Sequence, residues 1–428
     1  MKNKKILVWF RNDLRLHDNE MLVEAIAKSD SILPVYFFDP RYFDETRFGT
    51  AKTGVFRAEF LRGSLKSLRS AFRKMGGDIL FVQGRPEDYL KELVERFDIA
   101  EVYHHREVAP EETLISDNVE DLLWTLKVNL RHFIGHTLYN KEDLPFPIKD
   151  IPDVFSQFKK KTERDAIVKS CFSSPESIAF VENQEWGEIP SLEELGFILN
   201  GNENFNGYPE GGEEAGLGHL KSLFAADSTI YLKNGKNNAD KSGLSSQLSA
   251  WLALGCLSPR MVYWQVKDAE SKFGPNIHFN QILLGLLWRD YFRFMFKKHG
   301  IAFFQEEKLE NEVLYAAVEG DALDNWKLGK TGNPIVDKYM FDLNTTGFIP
   351  HIGRQLVATY LIHVQKIHWT CGAAYFEEKL IDYAAASNWG NWASIAGLSK
   401  DVKSKNSVDL NKQFKILEVE IPDQPSFA

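Results

Sequence analysis

The sequence predicts an α/β domain built on a parallel sheet, followed by an all-α domain. Three observations predict it. Within the first 140 residues, short continuous apolar runs alternate with helical patterns. Residues 140–215 are crowded with Pro, Gly and Asn. Beyond residue 215 the apolar periodicity is helical. A chain of 428 residues that is 44% hydrophobic can fill more than one core. The boundaries expected are 1–135 for the α/β domain, 136–212 for a linker, 213–400 for the helical domain and 401–428 for a C-terminal tail.

The strand signals come in order. Ile6 to Phe10 is an unbroken apolar run, and Ser31 to Phe38, Asp78 to Val82 and Glu101 to His104 are further β-rich runs. Helical patterns such as Phe56 to Leu65 separate them. Strands that are apolar throughout, alternating with helices, imply a parallel sheet covered on both faces. The first strand runs into Phe10-Arg11-Asn12-Asp13-Leu14-Arg15, so the glycine-rich dinucleotide fingerprint is absent. In the linker, Leu144-Pro145-Phe146-Pro147, Ile151-Pro152-Asp153 and the Gly- and Asn-rich stretch from Asn200 to Gly218 predict loops rather than packed elements. Farther on, Gln281 to Lys298 is apolar nearly all round, as in a helix buried inside a bundle. Gln355 to Gln365 and Ala374 to Ala386 predict two more helices. The tail is polar with little periodicity.

Charge and cysteine content narrow the function. The net charge is −9 and the pI about 5.8, so nucleic-acid binding would need a local basic patch. Cys171, Cys256 and Cys371 form no CxxC pair, which argues against a zinc ribbon and a disulfide framework. No apolar run reaches membrane-spanning length, and the run after Lys5 is too short for a signal peptide. A cytoplasmic protein without a membrane partner is expected. Seven of the ten Trp lie past residue 250, which suits a large apolar core.

Four segments could carry chemistry. Ser245-Ser246-Gln247-Leu248-Ser249 precedes Trp251-Leu252-Ala253-Leu254-Gly255-Cys256-Leu257-Ser258-Pro259-Arg260. Its hydroxyls could meet an anion at a helix start or simply cap that helix. Leu287-Trp288-Arg289-Asp290-Tyr291 puts an Arg in an apolar helix, where it needs Asp290, another side chain or a ligand phosphate as partner. Gly347 and Gly353, before Arg354-Gln355, permit close backbone approach. Asp382 and Asn388, beside Trp389 and Trp392, suit a polar-edged aromatic ligand, with Asp382 able to meet Arg354. Alternatively, Ser387-Asn388-Trp389-Gly390 is a helix C-cap and turn.

In order and spacing these segments resemble the photolyase and cryptochrome family over nearly the whole chain. Trp9-Phe10-Arg11-Asn12-Asp13-Leu14-Arg15 with His17-Asp18-Asn19-Glu20 is similar to the family's opening motif. Leu144-Pro145-Phe146 with Pro152-Asp153-Val154-Phe155-Ser156-Gln157-Phe158 resembles the DASH-type cryptochrome branch. The resemblance implies an α/β antenna domain and an all-α FAD-binding domain. It implies that Ser245, Ser246, Gln247, Leu248 and Ser249 line the FAD phosphates near Tyr231, and that Arg289 contacts the cofactor. Arg354 would pair with Asp382 beside the isoalloxazine. Asn388 would face flavin N5, where a neutral amide supplies no proton as an acid would. Trp392 would be the inner electron donor and Trp369 the next. The outermost Trp has no match, its expected place falling on Ala316 beside Tyr315. Glu107 resembles a folate-antenna contact, with a solvated loop residue as the alternative.

The departures lie on the lesion side. A Glu usual three residues before Trp-Arg-Asp is Gly285, which cannot stabilise a substrate radical anion. An Asn-Arg pair is His351-Ile352, an Arg is Gly235 beside Lys236, an aromatic is Ser394 and an Asp is Ala384, while Trp288 is retained. Two functions compete, beside the plainer alternative of a flavoprotein that has lost photochemistry. One is a blue-light flavoprotein of photoreceptor type with a signalling partner, which needs FAD and Trp392. The other is a light-driven lyase that repairs pyrimidine dimers in damaged or single-stranded DNA. The substitutions favour the first.

Overall fold

The computed structural model describes residues 3–183, 185–199, 205, 209–225, 228, 230, 246–300, 321–398 and 409–418. A five-stranded parallel sheet forms the first domain, from β1 (Lys5–Phe10), β2 (Ser31–Phe38), β3 (Leu80–Gln83), β4 (Ile99–His105) and β5 (Asn129–Phe133). Their order is β3-β2-β1-β4-β5. The connections are α1 (Glu20–Lys28), α2 (Val55–Lys74), α3 (Pro86–Phe97) and α4 (Pro110–Thr125). Alternate residues of the apolar strands feed opposite faces. Leu7, Trp9, Val35 and Phe37 pack with Leu90, Val94, Ile115 and Val119 of α3 and α4. Ile6, Val8 and Phe10 pack with Leu22 of α1 and Phe60, Leu65 and Phe72 of α2, in a core continuous with the helical domain. The sequence reading misses β5 because Asn129-Leu130-Arg131-His132-Phe133 is an edge strand, too polar to give a buried-strand signal.

The linker departs from the loop expectation. It contains α5 (Phe155–Asp165), whose Phe155, Phe158 and Thr162 are buried. Phe158 packs on Tyr291 and Phe294. Prolines at 145, 147 and 152 mark the approach to this helix, not an unpacked tether.

The described helices of the second domain are α6 (Glu213–Leu223), α7 (Ser249–Ala253), α8 (Pro259–Phe273), α9 (Ile277–His299), α10 (Asp321–Lys327), α11 (Pro334–Thr346), α12 (His351–Thr359), α13 (Trp369–Lys379), α14 (Ala385–Ile395) and α15 (Leu410–Leu417). Starts and stops follow side-chain chemistry. Ser258 caps α8 with Pro259 at its first position. Asn333 caps α11, and Gly347 ends it at φ 64°. Two expectations are corrected. Ala374 to Ala386 is not one helix: Leu380 to Ala384 break it, carrying Asp382 and Tyr383 between α13 and α14. The tail contains α15, whose Phe414 and Leu417 are buried, too short a segment to show a period.

The domain joint explains the opening motif. The Arg15 guanidinium is fully buried and donates to the carbonyls of His17, Asp18, Gly135 and Gly255. Asp18 pairs with Arg260 at 2.6 Å, and Glu213 accepts from the backbone of Leu16 and His17. A Cβ on Gly255, at φ +65°, would lie 1.9 Å from the Asn12 carbonyl. The two domains therefore touch backbone to backbone.

Candidate functional site

The break between α13 and α14 builds a polar cleft. Its walls include His351, Arg354, Gln355, Asp382, Asn388 and Trp392. Arg354 donates to the Asp382 carboxylate at 2.8 Å and to the Ile349 carbonyl at 2.9 Å. Asp382 is 8% exposed, and its Oδ1 is buried without a hydrogen-bond partner. Such an orphaned acceptor is costly unless a ligand donor meets it. Asn388 is buried and donates its amide to the Ala373 carbonyl at 2.9 Å. Ser387 to Gly390 lie inside α14, so the C-cap alternative fails. Gly390 is there because a Cβ would enter the Phe292 ring of α9.

Trp392 is buried on the same floor, edge-on to Phe376 at 5.0 Å and to Trp326 at 6.2 Å. Gly372 makes this possible, since a Cβ there would stand 2.2 Å from the indole. The donor set fits a flavin edge: a half-satisfied carboxylate for an N–H donor, an amide, and an easily oxidised ring. The cleft holds about 80 Å³, room for the edge of a ring and far less than a whole dinucleotide. The polar set thus marks where one edge of the group would sit.

The other candidates fall elsewhere. Tyr231, Ser245, Gly235, Lys236, Tyr315 and Ala316 lie outside the described residues. Ser246, Gln247 and Leu248 lead irregularly into α7, with Gln247 at φ 52° and Leu248 already in the helical region. The Ser246 carbonyl bonds His219, and α7 has Leu248 as N-cap, with no side-chain cap. Neither Ser246 nor Ser249 therefore caps this helix. Ser249 opens this five-residue helix. Trp288 is half-buried, and Phe155 of α5 stacks on its face at 3.5 Å and 10°.

Arg289 and Asp290 do not pair with each other. Arg289 donates to the carbonyls of His136 and Leu252, both at 2.9 Å. Asp290 accepts from the backbone N–H groups of Leu138 and Tyr139. The motif clamps the start of the linker to α9. Burial holds the Asp290 carboxyl up at about 7 despite those bonds.

A second, larger space lies between the domains. It encloses about 1130 Å³ above the C-terminal ends of β1 and β4, where the strand order reverses. Ligands of open α/β sheets bind at such switch points. Glu107 lies on its wall but is 3% exposed, so the solvated-loop alternative fails. Its carboxylate accepts from Asn12 at 3.0 Å and from Arg293 at 2.8 Å, with His136 at 3.3 Å. Burial raises its pKa, but His136, Arg293 and Arg11 overcome this and hold it well below the usual carboxylate range.

Trp369 also lines this space. Its ring neighbours are Trp389, edge-on at 5.6 Å, and His368. Those of Trp392 are Trp326 and Phe376, and Trp392 lines the smaller polar cleft instead. Sequence reasoning missed Tyr383, Glu377 and Arg57, which line the same space. The signal was present in Asp382-Tyr383-Ala384, where a tyrosine adjoins the candidate carboxylate.

Comparison with known proteins extends the picture. A DNA photolyase family model matches residues 6–176, and one for the FAD binding domain of DNA photolyase matches residues 282–415. Cryptochrome DASH of Gloeobacter violaceus is 40% identical over 418 residues, covering 96% of this chain and 83% of the relative. The crystal structure of Synechocystis sp. PCC6803 cryptochrome superposes with a TM-score of 0.85 at 35% identity, over 98% of this chain and 87% of that one. A bacterial class III photolyase from Agrobacterium tumefaciens gives 0.79 at 25% identity, over 98% and 85%.

Proposed function

The chain belongs to the DASH branch of the cryptochrome and photolyase family and contains its FAD-binding domain, and from that premise we propose that Arg354, Asp382, Asn388 and Trp392 serve a photoreducible flavin. The observation that carries this reading is the Arg354–Asp382 pair with its orphaned Oδ1, beside a buried indole. Bound FAD supplies the blue-light absorption and, once excited, a one-electron oxidant. Arg354 fixes the carboxylate, leaving Oδ1 to accept from the ring edge. Asn388 offers an amide that cannot serve as an acid. Trp392, packed against Gly372 and Phe376, is the indole that lines the cleft.

Photoreception is favoured over dimer repair. Gly285 offers no carboxylate to meet a lesion, and Phe155 covers one face of the Trp288 ring, which reduces the surface on which a flipped base could stack. We assign the interdomain space to a second chromophore of folate type, with Asn12, Glu107 and Arg293 organising its polar wall. Some Arg or Glu would have to exchange a bond for the ligand. Purified protein is expected to show flavin absorption and to bleach under blue light with external reductant. Trp392→Phe should bleach far more slowly. Absence of flavin, or equal bleaching in the variant, would overturn the assignment. Stoichiometric repair of cyclobutane dimers in single-stranded DNA would restore the lyase reading.

A further inference from the structure

The loop that carries Asp382 is held from the other domain. Leu380 to Ala384, between α13 and α14, is neither helix nor strand, so its shape depends on what it touches. The Leu380–Ile381 peptide is fixed at both ends. Its N–H donates to the Gly347 carbonyl at 2.9 Å, and its carbonyl accepts from the Arg57 guanidinium at 3.3 Å. On the other side of Asp382, the same guanidinium lies 4.6 Å from the Tyr383 ring centroid. Arg57 belongs to α2, in the α/β domain. We propose that Arg57 is a positioning residue for the flavin, clamping the Asp382 loop from the α/β domain so that retention of FAD depends on both domains. The inference rests on the assignment of Arg354 and Asp382 to the flavin edge and deepens it.

Three features support this role. First, the position is costly for the helix that bears it. Arg57 is the third residue of α2, where a cation opposes the helix dipole, and it is 7% exposed. Burial depresses the guanidinium below its ordinary range, against the pull of Tyr383, Glu377 and Asp382. Its donors go to the carbonyls of Lys52, Glu377 and Leu380 and to the Thr53 hydroxyl. Two of those carbonyls lie at the end of α13, where a cation is favourable. The charge therefore serves α13 rather than α2. Second, the two helices meet closely. A Cβ on Gly54, the N-cap of α2, would lie 2.3 Å from the Glu378 carbonyl oxygen. The Thr50 hydroxyl donates to the Ala374 carbonyl at 3.3 Å, and the Ala51 N–H donates to the Glu378 carboxylate at 3.2 Å. Third, the loop is a partition. Tyr383 and Ala384 line both the polar cleft and the interdomain space of about 1130 Å³. Without Arg57 the loop has open volume on one side into which it can relax.

The consequence is geometric. Arg354 holds Asp382 Oδ2, which leaves Oδ1 for a ligand donor. Whether Oδ1 meets a ring N–H depends on where the loop places the Asp382 backbone, and a hydrogen bond weakens steeply as its angle closes. The hydrogen bonds of Arg57 go to other groups than Asp382, so its effect passes through the backbone of the loop.

The test is the rate at which the full-length FAD-loaded protein releases its flavin, followed by the fluorescence of the freed cofactor, in a double-variant cycle. Arg57→Met keeps much of the side-chain bulk and removes the donors and the charge. It should retain flavin absorption but release FAD about tenfold faster, the loss expected when a hydrogen bond to a charged group is misaligned. In an Asp382→Ala background the same change should accelerate release by less than about twofold, because the carboxylate through which Arg57 acts is gone. Thermal unfolding separates placement from simple bracing: Arg57→Met should lower the midpoint by the same amount in both backgrounds. If Arg57→Met does not fold, Arg57→Lys, which keeps the charge and loses the fork, carries the same cycle with a smaller acceleration that again depends on Asp382. Unchanged release, or equal acceleration in both backgrounds, would overturn the inference and leave the flavin assignment standing. Absence of flavin from the unaltered protein would remove both.

Discussion

At the scale of single residues, the charged side chains divide into those that brace the fold and those left for a ligand. Arg15, Arg289 and Asp290 spend their bonding capacity on backbone groups. Asp382 keeps one oxygen unpaired. Asp290 allows the bracing role to be measured. Its carboxyl is raised from 3.8 to about 7 in the folded chain. A carboxyl raised on folding contributes stability that is complete below the unfolded value and is lost as pH rises through the folded one. Unfolding free energy is therefore expected to fall by about 2–3 kcal/mol between about pH 5 and about pH 8 on account of this group, one pKa unit being worth about 1.4 kcal/mol. Asp290→Asn should flatten that part of the profile. Asp290 Oδ2 accepts from both Leu138 and Tyr139, and one amide oxygen can replace it. Urea denaturation at several pH values reads the difference, and an unchanged slope would contradict the assignment.

At the scale of elements, the linker helix α5 acts as a cover. Phe155 is 6% exposed and lies flat on Trp288, while Phe158 fills the angle between Tyr291 and Phe294. Phe155→Ala should cost about 3–5 kcal/mol, as for a buried aromatic. About 0.5–1.5 kcal/mol of that should disappear when Trp288 is already replaced, because the ring pair is then absent. Chemical denaturation of the single and double variants gives both numbers. Full additivity would mean that the stacking carries no energy. Much of the fold at this scale was legible. The inner strands announce themselves because both of their faces are buried, and α9 because it is apolar nearly all round. The failures have local causes. Edge strand β5 is polar, α5 sits among prolines, and Leu380 to Ala384 look helical in composition yet form the turn that carries Asp382. In the site, Arg354 with Asp382 was legible from chemistry that requires a partner. The Trp369–Trp389 ring contact was not, because it depends on how α13 and α14 cross.

At the scale of the whole molecule, one contact couples the two domains to the space between them. Gly255 has φ +65°, and its missing Cβ is what lets the helical domain approach the Asn12 carbonyl. Asn12 in turn donates to Glu107 on the wall of the interdomain space. Around this point Leu14 bonds the Leu254 carbonyl, and Arg15 bonds Gly255 itself. A side chain at 255 therefore strains its own backbone and pushes backbone against backbone, which cannot be relieved by a rotamer change. Gly255→Ala is expected to lower stability by more than about 2 kcal/mol, from the left-handed conformation and the clash together. The form of the loss matters more than its size. With the joint intact, buried ties such as Asp18–Arg260 should make the domains unfold in one calorimetric transition. With the joint spread, the α/β and helical domains should separate into two. The cleft of Arg354 and Asp382 lies within the helical domain, so flavin absorption should survive in the variant. Any second chromophore, held by walls from both domains, should be lost. A single transition with both chromophores retained would show that the domains do not depend on this contact.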